Sequence, residues 1–529
     1  MAGPLRYLRP NAQIEPLWSS WYAWSHLVSP ATAAMNVTNG HIKILRSYLA
    51  APEVHAAAVK NPDLLGGPFV DYEGKRTAEI QTLLDDTLRE KAALIAFARG
   101  VKELDDLLLA EAKGASLAPL HARVPEALRG YVELTYDLSG APGMRLIEPL
   151  LYRSPLYDPR FQSLALSLTH RDHRPFALST PRLPDPSRLF TSTPFASDAV
   201  DHLSRARTTG TTVEDIADRL GITDAASLAP LFTDAPPAPR PRYEGEGVRV
   251  RYFGHASVLL ETRDVSILVD PTVSYACGQD PPRFTYEDLP PVIDYVLVTH
   301  NHQDHLLLET LLQIRHRVGT VVVPRGGSGA LQDPSLRLAL RAIGFPKVIE
   351  LDVLDTLEVP GGSITGLPFL GEHADLDVAT KIAHLVRFGA FGALFAADSD
   401  NVDSRLYDHV RDAVGEVPVV FLGMECEGAP LSWLYGPLLS RPLSRKMDQS
   451  RRLSGSDAKK AIALVERLGP REVFVYAMGQ EPWLGYVMSV RYTPESRPIV
   501  ESDALIATCR ARGIKAERLF STMEKVYAT

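Results

Sequence analysis

The sequence predicts a two-part chain: a helix-rich α+β N-terminal domain over residues 1–234 and an α/β metal-binding domain over 248–529, joined by a proline-rich linker over 235–247. Three observations predict it. At 529 residues the chain is too long for one ordinary core. Ala235-Pro236-Pro237-Ala238-Pro239-Arg240-Pro241 can form neither helix nor central strand, which marks a boundary. Beyond it, behind Pro290 and Pro291, the run Tyr295-Val296-Leu297-Val298 reads as a buried strand leading into Thr299-His300-Asn301-His302-Gln303-Asp304-His305. Three histidines and an aspartate thus fall on the loop at a strand's C-terminal end, where α/β folds place their chemistry.

Composition bounds the rest. With 45% hydrophobic and 23% charged residues, no apolar run of membrane-spanning length and no signal pattern, the chain is expected to be cytoplasmic. A net charge of -8 gives no general attraction to nucleic acid or anionic membrane. Cys277, Cys426 and Cys509 are odd in number and far apart, which argues against a disulfide framework.

In the N-terminal part, Trp18, Trp21 and Trp24 recur every third residue, the spacing of one helical face, and predict core packing or a homodimer face. From Thr77 to Lys113 the apolar repeat predicts a helix, broken near Gly100. Tyr131–Tyr136 reads as a strand. His170-Arg171-Asp172-His173 lacks a framing strand and reads as a surface cluster. Thr212 to Leu220, followed by Gly221, reads as a capped helix, and no basic recognition helix follows it.

In the second part, Val248–Glu261 is hairpin-like, and Ser266-Ile267-Leu268-Val269-Asp270-Pro271 is a strand ending in an aspartate expected to support the metal loop from behind. His-x-His-x-Asp-His places four ligand-capable side chains within six residues, donors that borderline divalent metals take. This pattern resembles the signature of the metallo-β-lactamase superfamily, which implies an αββα sandwich from about Val248 onward. The resemblance makes His300 and His302 ligands of one metal, and Asp304 and His305 of a second. His255, in Gly-His-Ala-Ser, is expected to support the site or face substrate.

The remaining ligands bear on the chemistry. Phe391–Asp400 is a buried strand ending in a carboxylate, so Asp398 stands where a bridging ligand belongs, with Asp400 as the lesser alternative. The middle ligand falls at Glu372 or His373. No histidine follows His409, and the next strand, Val419–Met424, runs into Glu425, a carboxylate where a hydrolase of this fold offers imidazole. His409, on the preceding helix, is a poor substitute. Hard carboxylates move a site from zinc toward iron or manganese.

Here the chain resembles the CmlA-type di-iron β-hydroxylases of non-ribosomal peptide assembly lines. The resemblance implies that His300, His302 and Glu372 hold one iron, Asp304, His305 and Glu425 the other, with Asp398 bridging. Glu372 and Asp398 would act in catalysis through that cluster. It further implies O2-dependent β-hydroxylation of an amino acid held as a thioester on a synthetase carrier domain, with electrons from an external donor. A zinc-dependent hydrolase using His373 is the alternative. The basic stretch Gly436–Arg452 is a candidate docking face for an acidic carrier, with Arg445 and Arg451 as its test residues. Trp433, Tyr435, Trp483 and Tyr486 are candidate pocket walls.

Overall fold

The computed structural model describes residues 4–278 and 280–529. The elements that position the site are, in chain order, β1 (Ala12–Trp18), β2 (Trp21–Tyr22), α1 (Thr77–Glu90), α2 (Ala92–Glu111), β3 (Gln162–Leu168), β4 (Leu189–Thr191), α3 (Val213–Leu220), β5 (Val248–Gly254), β6 (Ser257–Glu261), β7 (Ser266–Val269), β8 (Ile293–Leu297), α4 (Leu308–Ile314), β9 (Val318–Pro324), β10 (Val348–Leu351), β11 (Thr356–Val359), β12 (Gly362–Leu367), β13 (Ala383–Phe388), β14 (Phe391–Phe395), α5 (Leu406–Val414), β15 (Val419–Gly423), β16 (Glu472–Tyr476), β17 (Lys515–Arg518) and β18 (Met523–Tyr527).

Two seven-stranded sheets face each other, in the orders β10-β9-β8-β7-β6-β5-β18 and β11-β12-β13-β14-β15-β16-β17. Their inner faces share one apolar core, including Val250, Val258, Ile267, Phe395, Phe421 and Phe474. Helices cover the outer face of the second sheet. This is the expected αββα sandwich. The strands β7, β14 and β15 are near-continuous apolar runs, as strands buried on both faces must be.

Over the first sheet lies the N-terminal part, which is mixed α+β as expected. Its four-stranded sheet runs β2-β1-β3-β4. One continuous core joins Trp18, Trp21, Leu94 and Leu164 to Val296, Leu311 and Val321 of the sandwich. Among the described residues no helix is long and apolar enough to cross a membrane.

Several local expectations are corrected. The tryptophans do not lie on a helix: Trp18 and Trp21 pair across a hairpin whose two turn residues, Ser19 and Ser20, have φ of 47° and 71°. A turn left-handed at both positions matches strand twist, and that geometry outweighed the helical spacing. All three rings are buried within the chain, so they are core and offer no dimer face. The long helix breaks at Lys91, not Gly100. Gly100 sits mid-helix because a Cβ there would come within 3.3 Å of Leu128. The strand after Tyr131 forms at Val132–Tyr136, and α3 is capped by Thr212 and ends at left-handed Gly221, as expected. His170 and His173 are exposed.

Candidate metal centre

Every predicted ligand comes from the same end of the sandwich. The His300–His305 loop follows β8, Asp398 follows β14, Glu425 follows β15, and Glu372 lies on the loop after β12. An isolated bridge between His300 and Lys381 ties the histidine loop to the second sheet. Backbone strain concentrates here. His255, Asp270, Glu372 and Ala397 have φ of 51°, 38°, 67° and 45°, a conformation that costs a non-glycine residue about 1–3 kcal/mol.

His300, His302 and Glu372 each point one donor atom to a common place, all within 4.8 Å of one another, and so do His300, His305 and Asp398. Glu372 Oε1 lies 2.8 Å from His302 Nδ1, and Asp398 Oδ2 lies 3.1 Å from His305 Nε2. Asp304 Oδ2 is 3.6 Å from the same His305 nitrogen. His373 is buried directly behind Glu372, its Nδ1 3.1 Å from Glu372 Oε2, and belongs to neither donor group. Glu425 is half-buried in the wall of the adjoining cavity, with His302, Asp304, Glu372 and Asp398.

Supporting contacts fix the tautomers. His305 donates its Nδ1–H to Asp270 Oδ2 at 2.8 Å, leaving the Nε2 lone pair facing the site. The Thr299 hydroxyl donates to the same Asp270 oxygen at 2.6 Å and therefore accepts the His300 Nδ1–H at 3.0 Å, which frees His300 Nε2. Tyr435 OH lies 3.0 Å from His302 Nε2, so His302 Nδ1 is its free donor atom. His255 Nδ1 accepts the Gly479 N–H at 3.1 Å, so its proton is on Nε2 and is donated to Asp304 Oδ2 at 3.0 Å. His255 thus orients Asp304, and His255, Asp304 and His305 form a third group whose donor atoms lie within 4.8 Å of one another.

The charge arrangement calls for a cation. Burial, then the carboxylates of Asp398, Asp304 and Glu372, pushes the Glu425 carboxyl well above its ordinary range. Burial also lowers His300, and the neighbouring histidines lower it further. His300 Nε2, Glu372 Oε2 and Asp398 Oδ1 are buried with no hydrogen-bond partner among the described residues. Buried polar atoms are normally paired, so orphaned donors converging on one place fit metal ions. Three imidazoles with four carboxylates suit iron.

A cavity of about 480 Å3 opens from these ligands, walled by Leu65, Phe176, Trp433 and Val487. Of the four candidate aromatics only Trp433 borders it. Tyr435 contacts His302 instead, while Trp483 packs over Gly254 and Tyr486 hydrogen-bonds Glu309 and Tyr22 in the core. Asp400 binds Lys460 and Ser456, and His409 is exposed, so neither reaches the site. The role of Tyr435 toward His302 had no signal in the sequence, because the two lie 133 residues apart.

Comparison with known proteins agrees with this geometry. Residues 7–236 match the family described as the di-iron non-heme β-hydroxylase N-terminal domain, and 249–366 match a β-lactamase superfamily domain. The chain is 42% identical, over 97% of its length and 98% of the relative, to the 4-amino-L-phenylalanyl-[CmlP-peptidyl-carrier-protein] 3-hydroxylase of Streptomyces venezuelae. The crystal structure of CmlA, a di-iron β-hydroxylase from the same organism, superposes with a TM-score of 0.93 at 41% identity, covering 99% of this chain and 100% of that one. A CmlA glutamate-to-aspartate mutant superposes with a TM-score of 0.91 at 40% identity over the same shares.

Proposed function

The chain belongs to the di-iron non-haem β-hydroxylases, and from that premise we propose that it hydroxylates the β-carbon of an amino acid held as a thioester on a carrier domain of a non-ribosomal peptide synthetase. In the balanced reaction, O2, two electrons and two protons convert the C–H bond to C–OH and release water. The electrons come from an external donor protein. The observation that carries this reading is the donor set, in which Glu372 joins His300 and His302 and Glu425 lines the same cavity.

In the proposed assignment His300, His302 and Glu372 hold one iron, Asp304, His305 and Glu425 the other, and Asp398 bridges. The cluster, when bound, supplies O2 activation. The chain's own residues do the rest. Asp270, Thr299 and Tyr435 keep the imidazole lone pairs turned inward, and His255 orients Asp304. Lys381 and Arg451 clamp the Glu372 loop through the carbonyls of Gly371 and Ala374. Leu65, Phe176, Trp433 and Val487 give the cavity beside the ligands an apolar wall.

Arg441, Arg445 and Lys446 are exposed and form the proposed carrier-docking face. Arg451 is occupied with Ala374, which removes it from that role. We place the protein in the cytoplasm, consistent with Cys426 and Cys509 remaining thiols. The proposed division is an N-terminal domain over 1–234, a linker over 235–247 and the metal domain over 248–529. The homodimer expectation loses its basis with the burial of the tryptophans.

The test is a panel of carrier domains loaded with single amino acids, incubated with O2 and a reduced ferredoxin-type donor, and read by mass spectrometry of the arm. A gain of one oxygen on the tethered amino acid is expected, with none on the free amino acid. Hydrolysis of the thioester without oxygen gain would overturn the proposal.

A further inference from the structure

A second cavity of about 490 Å3 lies under the proline-rich linker, bordered by Arg205, Arg240, His316 and Arg317. It is remote from the metal centre. Arg317 directly precedes the start of β9, whereas the ligand histidines follow the end of β8, and the two strands are parallel neighbours. The two sites therefore sit at opposite ends of the first sheet.

The cations of this cavity are not balanced. Arg317 is 8% exposed, yet among the described residues it makes no ion pair, and its contacts are the Pro290 carbonyl at 3.3 Å and His316 Nε2 at 3.4 Å. Arg205 has no carboxylate within ion-pair distance either, whereas Arg240 is matched by Asp288 at 3.0 Å. Glu287 is the one carboxylate among the lining residues, and it is close enough to Arg207 and Arg240 to feel both charges, but not Arg205 or Arg317. Behind the wall, Arg207 is buried with backbone carbonyls and Gln313 as its hydrogen-bond partners. Because His316 Nε2 accepts from Arg317, its proton is on Nδ1, and that buried N–H has no partner. Burial first, then Arg317 and Arg205, pushes the His316 imidazole down to about 3.

A buried guanidinium without a counter-ion is costly, and folded proteins keep such groups where an anion or acid meets them. We propose that this cavity is a binding site for a phosphate-class oxyanion, held by Arg205 and Arg317. The fork of arginine suits phosphoryl oxygens. Its volume exceeds that of one inorganic phosphate, so pyrophosphate or a small organic phosphate is the better-fitting occupant.

The test titrates the iron-loaded full chain with inorganic phosphate and with pyrophosphate at constant ionic strength, using chloride as control and calorimetry and thermal unfolding as readouts. Saturable binding with a concentration-dependent rise in unfolding temperature is expected, tighter for pyrophosphate. Arg317→Met and Arg205→Gln should each weaken binding roughly tenfold or more. In phosphate-free buffer Arg317→Met should unfold no earlier than the parent, since it removes an uncompensated charge. Arg205 is exposed, so Arg205→Gln tests binding even where the buried substitution disturbs folding. Two results would overturn the site: a response no larger than that to chloride, or phosphate binding that survives in both variants, which would place the anion at the metal centre.

Discussion

His305 donates its Nδ1–H to Asp270 across 2.8 Å, and the oxygen that receives it also takes the Thr299 hydroxyl that orients His300. One carboxylate therefore sets the tautomers of two imidazoles from different turns of the loop. Asp270→Asn keeps the shape, and asparagine tolerates the left-handed φ of 38°. It should lower metal affinity about 10–100-fold with unchanged circular dichroism. Competition with a chromophoric chelator measures this.

Glu372 and His373 are separable by the same assay. Glu372→Gln removes a donor atom and should lose metal, whereas His373→Gln, outside all three donor groups, should retain close to the parent's content. The reverse pattern would favour a hydrolase-type site.

Gly423 ends β15 beside the bridging position. An added Cβ would stand 2.6 Å from Asp398 Oδ1 and 2.7 Å from the Ala397 carbonyl. Gly423→Ala should therefore displace Asp398 and reduce metal occupancy, and elemental analysis of the purified variant reads the effect.

The fold carries a pH dependence apart from the metal. Burial pushes the Glu148 carboxyl from 4.5 up to about 7. Between those values the folded state holds a proton that the unfolded state has lost, so this group's contribution to stability falls as pH rises through the window, by about 3 kcal/mol at most. Glu148→Gln should flatten that fall, and urea unfolding of metal-free protein at intervals from pH 4.5 to 7 would show it.

A chain truncated to begin at Arg242 should aggregate. Leu311, Leu312 and Ile314 of α4 and Val296 of β8 share their core with the N-terminal part, and its removal bares them to water. A monodisperse, cooperatively unfolding fragment in light scattering and calorimetry would contradict this.

The metal centre was legible because much of it is local. Four candidate ligands occur within six residues behind an apolar strand, and Asp398 and Glu425 each end a buried run, so strand polarity alone carries them to one edge. Which of Glu372 and His373 turns toward the other donor atoms was not legible, since it depends on a left-handed turn begun by Gly371 and closed by Asp375. The tryptophan hairpin was misread because its turn residues are serines rather than the Asn-Gly pair that announces such a turn. Tyr435 and Arg317 owe their roles to partners, or to the lack of them, that only the folded chain reveals.

The central claim, a di-iron centre built from three histidines and four carboxylates, is tested most directly by elemental analysis of protein grown with iron, paired with its optical spectrum before and after dithionite. About two irons per chain, with near-ultraviolet absorption that bleaches on reduction, is the result the ligand chemistry predicts. Two zincs and no reducible chromophore, even from iron-rich growth, would contradict it.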